Sequence, residues 1–91
     1  MIIGFDAKRA FANRAGLGNY SRDVIRSLQD LYPENKYVLF STENQYGLVE
    51  EKYCSNLIMP PEGSSKFAQA RWRSMRLGEL IEQQGIEIFH G

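Results

Sequence analysis

Three groups of residues in this chain are of types that can do chemistry. The first is the glycine pair in "RAGLGNYSRDVI", Gly16 and Gly18, which stands just ahead of an amphipathic run. At the start of a helix the backbone N–H groups are unpaired and the helix dipole adds partial positive charge. A phosphate can therefore sit against Gly16, Leu17, Gly18 and Asn19 with no side chain involved. The same glycines could equally serve a turn and close packing. The second group is Lys8, Arg9 and Arg14, on the segment before the glycines. Such side chains either help hold a diphosphate or are simply solvated. The third is His90, the sole histidine, at the end of a predicted strand. A lone histidine is commonly structural, but a carboxyl strand end is also where a catalytic one would stand. Asp6, at the end of the first predicted strand, either orients the following loop through backbone hydrogen bonds or meets a ligand.

Two familiar phosphate motifs are not met. Ser21 occupies the third glycine position of G-x-G-x-x-G, and the segment between strand and glycines is too long for that fingerprint. No G-K-[ST] follows, which excludes a P-loop. The single cysteine, Cys54, has no neighbours at metal-ligand spacing, so no metal site is expected there, and no residues call for a cofactor.

The elements that must position these groups follow from the hydrophobic pattern. Met1 to Phe5 reads as a buried strand, and "DAKRAFANRAG" as a basic loop. Leu17, Tyr20, Val24, Leu28 and Leu31 recur at helical spacing, and Pro33 sets the helix end. "KYVLFST" is a second strand; Glu43 to Ser55, with Asn44 and Gly47, is a weak helix or a loop. "NLIMPP" is a short third strand, and Gly63, Ser64 and Ser65 form a loop that can cap the next helix. In that helix Phe67, Ala70, Leu77, Leu80 and Ile81 share a face, and Gly85 is the expected C-cap. "IEIFHG" is the last strand.

This order predicts an α/β fold: a Rossmann-like, mostly parallel sheet of about four strands with flanking helices. In such sheets the fourth strand lies beside the first, and ligands bind outside the carboxyl ends of the two. Asp6 with the glycine segment, and His90 with Gly91, would then meet at one crevice. Because the chain stops at the mouth of that crevice, we expect it to be the truncated front part of a longer protein. Its last strand would lie at an open sheet edge, which invites self-association. Trp72 and Met75 fall away from the Phe67 face, with Arg76 beside them. Trp72 is expected to pack under the Ser64–Ser65 loop or against the rest of the protein; the alternative is a partner surface or a peripheral membrane contact.

Composition bounds what remains. The chain has 91 residues, with 43% hydrophobic and 24% charged, and reads as a single small globular domain. Lysine plus arginine equals aspartate plus glutamate at 11 each, which gives no argument for nucleic acid. Neither a signal peptide nor a membrane span is legible, and the lone cysteine suits a reducing compartment, so a cytoplasmic location is expected.

Taken together, "IGFDAKRAF", "GLGNYSRDVIRSL" and the strand-end "IFHG" resemble the opening of family 4 glycosyltransferases of the two-Rossmann-domain (GT-B) type, over essentially the whole chain. The resemblance implies transfer of a sugar from a nucleotide-sugar donor to an acceptor, with retention at the anomeric carbon. It implies that residues 1–91 are the acceptor-side domain, truncated, with the nucleotide-binding domain absent and the piece alone inactive. Gly16 and Gly18 would approach the donor diphosphate, and His90 would lie near the transferred sugar. Two other classes stay open: a different Rossmann-like nucleotide binder, which the failed fingerprint argues against, and a non-enzymatic interaction module built on the Trp72 surface.

Overall fold

The structure is a computed structural model that describes every residue except 43–46, 62, 64, 76 and 91, and the side chains at 75 and 77. The expectations placed on Asn44, Ser64, Arg76 and Gly91, and on the side chains of Met75 and Leu77, lie outside the described residues. Four strands, β1 (Ile2–Asp6), β2 (Lys36–Phe40), β3 (Leu57–Ile58) and β4 (Ile88–His90), form one sheet. The order is β3-β2-β1-β4 and every pairing is parallel, so β4 does lie beside β1. Phe5 pairs with His90, and Asp6 with Phe40. The carboxyl ends named above thus stand side by side.

Parallel sheets are covered on both faces, so their strands are apolar on both. In β2 the alternation sends Tyr37 and Leu39 one way and Val38 and Phe40 the other. All four are buried. Tyr37 and Leu39 join Phe5, Ala7, Ala10, Phe11, Ile25, Val49 and Tyr53 in the main core. Across the sheet, Phe40 meets Phe89 of β4, ring centroids 6.0 Å apart.

Between β1 and β2 the chain forms two helices where one was expected. The segment read as a basic loop contains a short helix, α1 (Lys8–Ala12), followed by α2 (Gly16–Leu31). Its apolar residues explain it: Ala10 and Phe11 are fully buried, so the segment folds to drive them into the core. The buried stripe of α2 is also rotated from the predicted one. Leu17, Tyr20 and Leu31 are exposed, whereas Gly18, Arg22 and Ile25 face inward, flanked by half-buried Val24 and Leu28. The reason is α1, which lies against that side and replaces the sheet as the neighbour of the first turn.

The expected weak helix or loop before β3 resolves, within the described residues, into a single 3-10 turn at Glu51–Tyr53. After β3 the described residues are helical on both sides of residue 76, over α3 (Lys66–Met75) and α4 (Leu77–Gln83). Ser65 caps α3, its Oγ accepting the Ala68 N–H at 3.1 Å. Gly85 ends α4 with φ 68°, and the Gly85 and Ile86 N–H groups donate to the Glu82 and Ile81 carbonyls. That is the Schellman arrangement, which needs a left-handed residue at this position. The face assigned to α3 needs correction: Phe67 is 80% exposed, and Trp72 is half-buried against the end of β2. α3 docks on the sheet rim through Trp72 and Arg73, which turns Phe67 outward.

Candidate functional site

The site is built at the carboxyl end of β1. At the end of that strand the Ala7 N–H donates to the Phe40 carbonyl at 2.8 Å, and α1 begins at once. Asp6 accepts the Lys8 N–H at 3.4 Å and forms an ion pair with Arg73 of α3. Lys8 and Arg9 are the first two residues of α1, and both line the cavity at that strand end. Asn13, Arg14 and Ala15 connect α1 to α2, and the Asn13 Oδ1 accepts the Ala15 N–H at 2.7 Å.

These elements enclose an open cavity of about 770 Å³ lined by Asp6, Lys8, Arg9, Ala12, Asn13, Arg14, Ala15, Ser21 and Arg73. Four of the lining side chains are cations and one is a carboxylate, itself engaged with Arg73. The excess positive charge suits an anionic ligand, and arginine forks match phosphate oxygens in pairs. A smaller cavity of about 130 Å³ adjoins it, sharing Asp6, Arg9 and Ser21, and is walled by Leu17, Tyr20 and His90. The His90 ring stands edge-on to Phe5 at 5.7 Å, which holds it at the mouth.

Lys8, Arg9 and Arg14 therefore meet in one cavity, and Arg9, Leu17 and His90 meet in the adjoining one. The glycines divide. Gly16 is exposed, and a Cβ placed on it meets nothing within 4 Å. No side chain caps the helix that it opens, so the first turn of α2 is open to solvent or ligand. Gly18 is buried, and a Cβ on it would fall 1.8 Å from the Asn13 carbonyl oxygen and 3.0 Å from that of Arg9. Its hydrogen is what lets α2 press against α1. Asn19 turns to the Arg22 guanidinium, which donates to its Oδ1.

Two arginines complete the arrangement without having been singled out from sequence. Arg73 comes from a distant helix, and no local pattern announces its pairing with Asp6. Arg22 had a readable signal: it follows Gly18 by one helical turn and precedes Ile25, which places a cation on the buried stripe. Its Nη1 donates to the Ala10 carbonyl at 2.9 Å and to the Asn13 carbonyl at 2.7 Å.

Among the described residues no group of three histidine, cysteine, aspartate or glutamate side chains could hold a metal ion. Cys54 is half-buried, and burial, with the Glu51 carboxylate adding to it, pushes its thiol pKa up, which makes it a poor nucleophile. No described helix is long and apolar enough to cross a membrane. Fold and cavity define a class, a Rossmann-like α/β half-sheet with a cationic crevice at the carboxyl end of β1. No known protein family, characterised protein or solved structure matches the chain.

Proposed function

We propose that this chain is the acceptor-side portion of a retaining glycosyltransferase, and that its crevice takes the diphosphate of a nucleotide-sugar donor. The observation that carries the reading is the cavity at the end of β1, where Lys8, Arg9, Arg14 and Arg73 converge on one space. It opens at the carboxyl end of β1, and the smaller cavity beside it reaches His90 of β4, at the strand reversal where open α/β sheets bind their ligands. The resemblance of "GLGNYSRDVIRSL" and "IFHG" to family 4 glycosyltransferases supplies the reaction class.

The chemistry follows from charge. When the sugar leaves its donor, negative charge grows on the diphosphate. Cations gathered around that position offset the charge as it develops. Arg9 borders both cavities and so sits between the diphosphate space and the His90 mouth, where the transferred sugar and the acceptor would lie. The nucleotide itself is held, in this reading, by a second domain outside residues 1–91, and these residues alone do not catalyse transfer.

The test is direct. Inorganic pyrophosphate titrated into the chain should shift the backbone amide resonances of residues 8–17, and Arg9→Gln together with Arg14→Gln should weaken binding at least about tenfold. Shifts elsewhere only, or equal binding by the double variant, would overturn the proposal.

A further inference from the structure

The geometry points to Arg22 as the positioning residue of this crevice, a buried guanidinium that holds the Asn13–Ala15 connection in the shape that presents Arg14 and the first turn of α2. The inference rests on the anion-binding reading above and adds to it a residue that lines neither cavity.

Arg22 is 6% exposed, and among the described residues no carboxylate pairs with it. A buried arginine without a counter-ion needs its N–H groups satisfied by other acceptors. Here they are the Ala10 and Asn13 carbonyls and the Asn19 side-chain oxygen. The two carbonyls belong to the C-terminal end of α1, where helical carbonyls lack internal partners and the dipole is negative. The guanidinium therefore closes α1 and reaches back from α2 to do it.

The Asn13 carbonyl is the pivot of the arrangement. Arg22 holds it on one side at 2.7 Å, and Gly18 leaves room for it on the other, where a Cβ would lie 1.8 Å away. The rest of Asn13 is tied too: its N–H donates to the Arg9 carbonyl at 2.9 Å, and its Oδ1 accepts the Ala15 N–H at 2.7 Å. Asn13, Arg14 and Ala15 all line the larger cavity. Gly18, Asn19 and Arg22 thus form one lock, spaced at a helical turn, whose purpose is the path of the residues before the helix. A lysine at 22 would keep the charge and lose the fork, since its single ammonium cannot span the two carbonyls and Asn19 with the same geometry.

The experiment compares wild type, Arg22→Lys and Asn19→Ala in pyrophosphate titrations and native-state amide exchange. In Arg22→Lys the Asn13 and Ala15 amides should exchange faster, by no less than Val38 and Leu39 in β2, which report only the loss of global stability, and pyrophosphate affinity should fall roughly tenfold despite the retained charge. Asn19→Ala, which removes one acceptor, should move both readouts the same way by less, and it serves as the decisive variant if Arg22→Lys does not fold. Equal affinity in wild type and Arg22→Lys overturns the inference, because charge alone then suffices. So does unchanged exchange at Asn13 and Ala15. Absence of pyrophosphate binding in the wild type marks the failure of the anion reading itself, and is seen before any variant is made.

Discussion

At the scale of single residues, the two glycines of "GLGN" do different work, and substitution separates them. Gly18→Ala places a methyl into the Asn13 carbonyl, a backbone atom that cannot swing aside. We expect a loss of about 3 kcal/mol, the upper end of overpacking costs, read as a lower midpoint in urea. Gly16→Ala meets nothing and removes backbone freedom from the unfolded chain, so it should stabilise by roughly 0.5–1 kcal/mol. Equal effects of the two would refute this division. The sequence shows that a glycine pair opens a helix, but not which member is pressed against another segment. That depends on α1, and α1 was hidden because "KRAFA" is too short for its periodicity to stand out from a loop. The cations were legible as types, and Lys8, Arg9 and Arg14 do line one cavity. Arg73 was not, because its partner Asp6 is brought to it only by the tertiary fold.

At the scale of elements, the strands were the most legible because period-two and all-apolar runs leave few alternatives, and the adjacency of β1 and β4 followed from topology alone. Helix faces were less so. Periodicity identifies α2 as amphipathic but cannot say which neighbour each side meets, and Leu31, on the predicted inner face, is 71% exposed. What holds α2 at its far end is polar. The Tyr53 hydroxyl donates to the Asp30 carboxylate, with oxygens at 2.9 and 3.0 Å, and Gln29 donates to the Tyr53 carbonyl at 3.0 Å. These contacts pin the 3-10 turn, and with it the run into β3, onto α2. Tyr53→Phe keeps the buried ring and removes only the hydroxyl. We expect it to cost about 1.5–3 kcal/mol, as for a hydrogen bond to a charged group, toward the lower end because Asp30 is exposed and can rehydrate. Thermal unfolding should show a smaller loss for Asp30→Asn, whose amide oxygen still accepts the hydroxyl, than for Tyr53→Phe, and the double variant should lose little more than Tyr53→Phe alone.

At the scale of the whole molecule, burial is unevenly shared along the chain. The buried hydrophobic residues run from Phe5 to Tyr53, and the described residues of α3, α4 and β4 add none to that core. α3 meets the sheet rim through half-buried Trp72 and through the Arg73–Asp6 ion pair, whose arginine is 42% exposed. An ion pair so accessible to water contributes little, about 0–1 kcal/mol, and salt screens it. Elements with few buried apolar contacts open below the free energy of global unfolding. Native-state amide exchange should therefore show α3 and α4 opening as a unit while α2 and β2 remain protected to the global limit. Arg73 lines the cavity that α3 borders, so an anion bound there gains contacts only when the helix is docked. Pyrophosphate should consequently slow exchange in α3 as well as in β2, where global unfolding releases the anion, and Arg73→Gln should remove the slowing in α3 while that in β2 persists. Protection of α3 equal to that of α2 in the free chain would show that the rim contacts hold the helix as firmly as the core does. The crevice would then be rigid on both sides, with no part of its charge supplied by a mobile wall.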